Sequence, residues 1–156
     1  MKRATCCFTG HRKLPQDKIE RIIKRLNDEI ENLYRQGVTD FISGGALGFD
    51  QIAASLIVAK RAMGLNIRLI FALPCRNQDD LWGDGQKRLY RNLLAEADEV
   101  ICVSENYCDG CMKKRNQYMV SQSAYCICAL LHGRSGTSQT VSYARQKGLR
   151  VINVED

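Results

Sequence analysis

The sequence predicts an α/β fold: a three-layer α/β/α domain built on a mainly parallel sheet of about six strands. Short apolar runs alternate with longer segments of helical periodicity along the whole chain. The apolar runs are near-continuous, the habit of parallel strands buried on both faces and joined by right-handed crossovers. Three polar, glycine-bearing junctions directly follow apolar runs: Thr9-Gly10-His11-Arg12, Ser43-Gly44-Gly45-Ala46-Leu47-Gly48-Phe49-Asp50 and Gly133-Arg134-Ser135-Gly136-Thr137-Ser138-Gln139-Thr140.

Residues 4–8 form the first expected strand. Over 15–35, Ile19, Ile22, Ile23, Leu26, Ile30, Leu33 and Tyr34 recur at helical spacing, with charged residues opposite, so one face covers the sheet. Gly37 ends that helix, and 38–42 is strand two. The segment 50–63 is a helix apolar over much of its circumference, which predicts deep burial or a subunit contact. Residues 67–73 form strand three, stopped by Pro74. A polar loop with Trp82 then leads to a helix over 87–97 and a strand over 100–103. A helix over 112–123, a strand over 124–131, a helix over 140–147 and a strand over 150–154 complete the order. No linker or repeat interrupts it, so residues 1–156 read as one domain.

The apolar fraction is 45% and charged residues make up 26%, ordinary for a globular protein. No apolar run approaches the roughly 20 residues of a membrane span. The start lacks a signal-peptide pattern, which predicts a cytoplasmic protein. The net charge of +6 favours anionic partners, but it is spread along the chain. Only 7% of residues are aromatic and none interleaves with a basic cluster, which argues against a nucleic-acid groove without excluding one.

Eight cysteines are the compositional oddity. Cys6, Cys102, Cys126 and Cys128 fall in strands, where free cysteine packs as a small hydrophobe. Cys108-Asp109-Gly110-Cys111 alone has metal or redox spacing. Cys126 and Cys128 lie inside a strand rather than a tight turn, so a four-thiolate zinc site is not expected. We expect no metal and no cofactor.

Ligands of parallel sheets bind beyond the strands' carboxyl ends, where all three junctions lie. A helix N-terminus offers free N–H groups and a positive dipole end, and glycine lets an anion come close. Gly44 and Gly45 permit the turn, Ser43 can donate to a phosphate, and Asp50 is either a site residue or an N-cap. Thr137, Ser138 and Thr140 can bind phosphate oxygens or cap their own helix. His11 and Arg12 suit a nearby anion or a surface turn. Arg115 lies in a helix, where spacing alone does not distinguish a ligand contact from a solvated side chain. Trp82 is a stacking platform or a plug over the core.

Together these residues resemble a known group. Ser43-Gly44-Gly45-Ala46-x-Gly48-x-Asp50 is similar to the Ser-Gly-x-Ala-x-Gly-x-Asp motif of the SLOG superfamily. That superfamily unites the DNA-processing protein A family with LOG-type phosphoribohydrolases. Thr9-Gly10-His11-Arg12, Tyr90 with Ala97-Asp98, Arg115-Asn116-x-x-Met119-Val120, and Gly136-Thr137 with Thr140-Val141 resemble its YpsA-like branch. The resemblance covers nearly the whole chain and implies a Rossmann-like fold binding a nucleotide or nucleotide-derived ligand. The implied binding set is Gly10, His11, Arg12, Ser43, Gly44, Gly45, Ala46, Gly48, Asp50, Arg115, Asn116, Gly133, Gly136, Thr137 and Thr140.

LOG-type enzymes carry Arg-Lys-x-x-Met and Gly-Gly-x-Gly-Thr-x-x-Glu, and the glutamate is implicated in cleaving the N-glycosidic bond. Here Asn116 stands for the lysine, Arg134 for the second glycine and Thr140 for the glutamate. A threonine cannot serve as a carboxylate base. The favoured expectation is therefore a binding or sensing domain for a nucleotide-like small molecule. The alternatives are a nucleotide-processing enzyme with Asp50 as the surviving acid, and single-stranded nucleic-acid binding. The apolar helix and the resemblance together point to a homodimer.

Overall fold

A computed structural model describes residues 2–131 and 133–156. The elements follow the expected β/α order: β1 (Thr5–Gly10), α1 (Ile19–Arg35), β2 (Asp40–Ser43), α2 (Phe49–Ala62), β3 (Arg68–Leu73), α3 (Asp84–Ala95), β4 (Glu99–Cys102), α4 (Cys111–Ser121), β5 (Tyr125–Ala129), α5 (Gly136–Gln146) and β6 (Arg150–Asn153). Every strand pairing is parallel, in the order β4-β3-β2-β1-β5-β6. The chain steps outward from β1 to β4, then returns to lay β5 against β1, with Cys7 opposite Cys126 and Gly10 opposite Ala129. The strand order therefore reverses between β1 and β5, which places the crevice of such sheets beyond Gly10 and Ala129.

Alternation along the strands builds two cores. Cys6, Phe8, Phe41, Leu69, Phe71 and Ile127 meet α1, α2 and α3 on one face. Cys7, Ile42, Ile70, Ala72, Cys126 and Cys128 meet α4 and α5 on the other. Phe8 stacks on Phe41 at 5.9 Å and meets Phe49 edge-on at 6.4 Å, so β1, β2 and the start of α2 share one aromatic cluster. Ile22, Leu26, Ile30 and Leu33 form the buried stripe of α1 that its periodicity foretold. The broad apolar surface of α2 is explained by depth: Ala53, Ala54 and Ile57 are buried, and Ile52, Leu56 and Val58 pack half-buried around the same core. Among the described residues no helix is long and apolar enough to cross a membrane.

Several expected boundaries move. The helix expected over 140–147 begins at Gly136, because Ser135 and Ser138 cap it reciprocally: Ser138 N donates to Ser135 Oγ (3.1 Å) and Ser135 N to Ser138 Oγ (2.9 Å). Gly136, Thr137 and Thr140 are thus helical residues rather than loop residues. The helix expected from 87 begins at Asp84, where Gly83 N donates to Gln86 Oε1 at 2.9 Å. The expectation of strands buried on both faces holds for the inner ones and fails at the edges. Val100 in β4 is 46% exposed, because an edge strand has a neighbour on one side only.

Candidate functional site

The loop from Ser43 to Asp50 satisfies most of its own polar groups. Ser43 Oγ donates to Asp50 O (2.8 Å) and accepts from Gly45 N (3.2 Å). Ala46 N donates to Asp50 Oδ2 (3.4 Å), and Gln51 Nε2 donates to Gly45 O (3.1 Å). The N–H groups of Gly45 and Ala46, both in the implied binding set, therefore point at the loop's own side chains. Gly45 has φ +73° and its missing side chain would face Tyr90, Leu73 and Phe71, so it serves the core turn. Gly44 allows a different approach: a Cβ there would lie 2.6 Å from Arg115 Cζ and 2.9 Å from Asp50 Oδ2.

Asp50 is not the N-cap of α2; Gly48 takes that position, without a side-chain cap. The Asp50 carboxyl is 6% exposed. Burial pushes its pKa from 3.8 up to about 6, opposed by the Arg115 charge, the Ala46 N–H and the Arg12 charge. The folded state then binds a proton more readily than the unfolded chain. Stability from this group is fully present below pH 3.8 and is lost as pH rises towards 6. We expect the wild type to lose about 2 kcal/mol between pH 4 and 6.5 relative to Asp50→Asn. Denaturant unfolding of both proteins across that range checks this, and parallel pH profiles would remove the buried carboxylate from the account.

Arg115 is 4% exposed, and its donors meet protein acceptors. Nη1 donates to Gly44 O (2.7 Å) and Ala72 O (3.3 Å), Nε to Asn116 Oδ1 (2.8 Å), and Nη2 faces Met112 Sδ (3.7 Å). Gln78 Nε2 adds a second donor to Gly44 O at 3.4 Å and also donates to Tyr90 Oη at 3.1 Å. Burial lowers the pKa of Arg115, and Asp50 opposes that fall. The guanidinium thus ties α4 to the ends of β2 and β3.

At the point where strand order reverses, His11 Nε2 accepts from Leu131 N at 3.3 Å, which puts the imidazole proton on Nδ1 when the ring is neutral. Arg12 is exposed, and its charge acts on both Asp50 and Arg115. Gly10 fits because its Cα lies against the Phe49 ring. Trp82 meets Tyr90 edge-on at 4.9 Å, as a plug beside the core.

An open groove of about 880 Å³ lies on the other face, between α4 and α5. Asn116, Gly136 and Thr140 of the expected set line it. Thr140 Oγ1 donates back to Gly136 O at 2.9 Å. Gly133, at φ +79°, leads into the cap at Ser135, while Thr137 is buried beneath. Lys113 and Arg134 supply two cations, and no carboxylate of the described residues lines the groove. Gln117, Gln139, Gln146, Ser142 and Tyr143 complete its polar wall. The structure therefore divides the expected set. Asn116, Gly136 and Thr140 meet at the groove, whereas Ser43, Gly44, Gly45, Ala46, Asp50 and Arg115 form a buried network behind the strand ends.

Lys113 and the glutamines were outside the expected binding set, and Arg134 was read only as standing for a motif glycine. The signal of Lys113 and the glutamines was a polar stripe at helical spacing on two helices, 113-116-117 and 139-142-143-146, which resembles any solvated face until the helices are placed side by side, whereas Arg134 lies in the loop before α5. Among the described residues no three His, Cys, Asp or Glu side chains gather as a metal-ligand set.

Comparison with known proteins agrees with this architecture. The chain is 33% identical over 143 residues to the SPbeta prophage-derived protein YoqJ of Bacillus subtilis (strain 168), across 84% of this chain and 80% of that one. Its fold matches DNA processing protein A (DprA) from Streptococcus pneumoniae with a TM-score of 0.67 at 21% identity, over 94% of this chain. The chain spans about half of that protein, 48% of its length. It also matches DNA processing protein A from Helicobacter pylori, a structure describing a single-stranded DNA binding mode, with a TM-score of 0.65 at 20% identity. That match covers 96% of this chain and 65% of that one. A family model, YpsA, described as the YspA SLOG family, matches residues 6–149. A match of that extent, on a sheet and motif loops laid out as described, shows that the chain belongs to the YspA SLOG family.

Proposed function

We propose that this protein binds a nucleotide or nucleotide-derived anion in the groove between α4 and α5. The observation that carries this reading is a ligand-sized groove with two cations, no described carboxylate and the capped start of α5 on its wall. Lys113 and Arg134 attract the anionic end, with Arg134 able to offer two donors to one phosphate. Asn116 and the glutamines offer donors and acceptors to a base edge or ribose, and Tyr143 gives an aromatic face. The buried network of Asp50, Arg115 and Gly44 holds the strand ends and the start of α4 in place behind the groove.

Calorimetric titration with a panel of nucleoside 5′-monophosphates tests this. Arg134→Ala, at an exposed position, is expected to weaken binding about tenfold, equal to about 1.4 kcal/mol and close to the lower end for a charged hydrogen bond, without lowering stability. Unchanged affinity would remove the groove from the site.

Two other readings remain outcomes of the same experiments. Release of free base, abolished by Asp50→Asn in a folded variant, would make the protein an enzyme. Thr140 at the position of the LOG-type glutamate, and Asp50 outside the groove lining, lead us to expect no release. Tighter binding of a single-stranded oligonucleotide than of any mononucleotide, with affinity falling steeply as salt rises, would favour the nucleic-acid reading that the net charge of +6 allows. A homodimer and a cytoplasmic location belong to the same proposal, and sedimentation equilibrium reads the first.

A further inference from the structure

We propose that Cys108 and Cys111 form an oxidant-responsive pair, in which a peroxide oxidises Cys108 and Cys111 resolves it as an internal disulfide. The inference rests on the geometry of the turn that opens α4 and is independent of the groove's ligand.

Cys108-Asp109-Gly110-Cys111 closes as a hydrogen-bonded turn, with Cys111 N donating to Cys108 O at 3.2 Å. Gly110 holds φ +80° and ψ 0°, the left-handed third position that glycine adopts without strain. Such a turn keeps its end Cα atoms within about 7 Å, and a disulfide spans roughly 4.4–6.8 Å. The backbone is therefore already close to the spacing the bond needs.

The two thiols differ in access, as attack and resolution require. Cys108 is exposed, with Sγ 3.8 Å from Ser104 Oγ, whereas Cys111 is buried at the first turn of α4. Reactive cysteines occupy electropositive, partly exposed surroundings; Lys113 and Lys114 follow in the first turn of α4, while Asp109 lies between the two cysteines. Most competing thiols are shielded: Cys6, Cys7, Cys75, Cys126 and Cys128 are buried, and Cys102 in β4 is half-buried. Burial pushes the Cys6 and Cys75 thiols up and that of Cys128 to about 12. Cys75 lies within hydrogen-bonding reach of Cys111, which makes it an internal rival as partner.

The chemistry balances with a peroxide as oxidant. The Cys108 sulfur takes one oxygen as the O–O bond breaks, giving a sulfenic acid and water. The Cys111 sulfur then attacks that sulfur; an S–S bond forms, the S–O bond breaks, and the oxygen leaves as a second water with the Cys111 proton. Two thiols and one hydrogen peroxide give one disulfide and two waters. Gly110 also lines the α4–α5 groove, so the bond would fix the turn at the groove's rim.

The test treats the full chain with hydrogen peroxide, alkylates the remaining thiols and maps the peptides by mass spectrometry. We expect two of the eight cysteines to be protected, joined as Cys108–Cys111, and restored by dithiothreitol. Cys108→Ser is expected to lose no thiols at the same dose, and Cys75→Ala to form the same bond. Cys111→Ser is expected to stop at a Cys108 sulfenic acid that dimedone captures. A bond from Cys111 to Cys75, a Cys108–Cys108 bond between copies, or all eight thiols remaining free would each overturn the proposal.

Discussion

Arg115→Ala is expected to lower unfolding stability by about 3 to 5 kcal/mol, the scale for removing one member of a buried charged network. The guanidinium donates to Gly44 O and Ala72 O, which belong to different strand ends, and to Asn116 on its own helix. An alanine leaves these buried acceptors with fewer donors and leaves Asp50 without the stronger of the two cationic charges that oppose its burial. Two readouts separate this from loss of packing alone. The Asp50 carboxyl should titrate higher than in the wild type, extending the fall of stability towards higher pH. Arg115→Lys should recover part of the loss, because it restores the charge without the planar set of donors. Chemical denaturation at several pH values measures both. A loss below about 1 kcal/mol in Arg115→Ala would show that the strand ends do not depend on this clamp.

Gly48→Ala is expected to cost about 3 kcal/mol or more and to disturb the loop after β1 as well as its own. Gly48 has φ +85° at the N-cap of α2, a conformation L residues rarely adopt. A Cβ there would also collide with the backbone carbonyls of Arg12 and His11, and backbone cannot swing aside as a side chain does. The hydrogen bond from Phe49 N to His11 O at 3.1 Å holds the two loops together at this point. Gly64→Ala, at φ +105° with open space around it, carries the dihedral strain without the collision. The difference between the two unfolding midpoints isolates the contact, and equal losses would assign the whole effect to the dihedral.

The order and type of the elements were determined by the sequence itself. Burial imposes its period on the residues that form each element. Ile22, Leu26, Ile30 and Leu33 declare the inner face of α1, and the apolar run from Leu69 to Leu73 declares an inner parallel strand. The glycine junctions likewise marked the strand ends, because φ values of +73° at Gly45 and +85° at Gly48 suit glycine alone. The roles of the polar residues were decided by the tertiary structure. A periodicity reports that a face is covered, not what covers it. Arg115 reads as a solvated or ligand-facing side chain until the sheet order brings Gly44, 71 residues away, against it. Asp50 reads as a site residue or a cap until Gly48 takes the cap position and burial raises its carboxyl. The groove exists only because β5 returns to lie beside β1, so that α4 and α5 share one face and Lys113 and Arg134 line the same groove. Local chemistry specifies periods, turns and caps within a few residues, whereas a hydrogen bond or a groove between distant segments depends on the order in which the strands assemble.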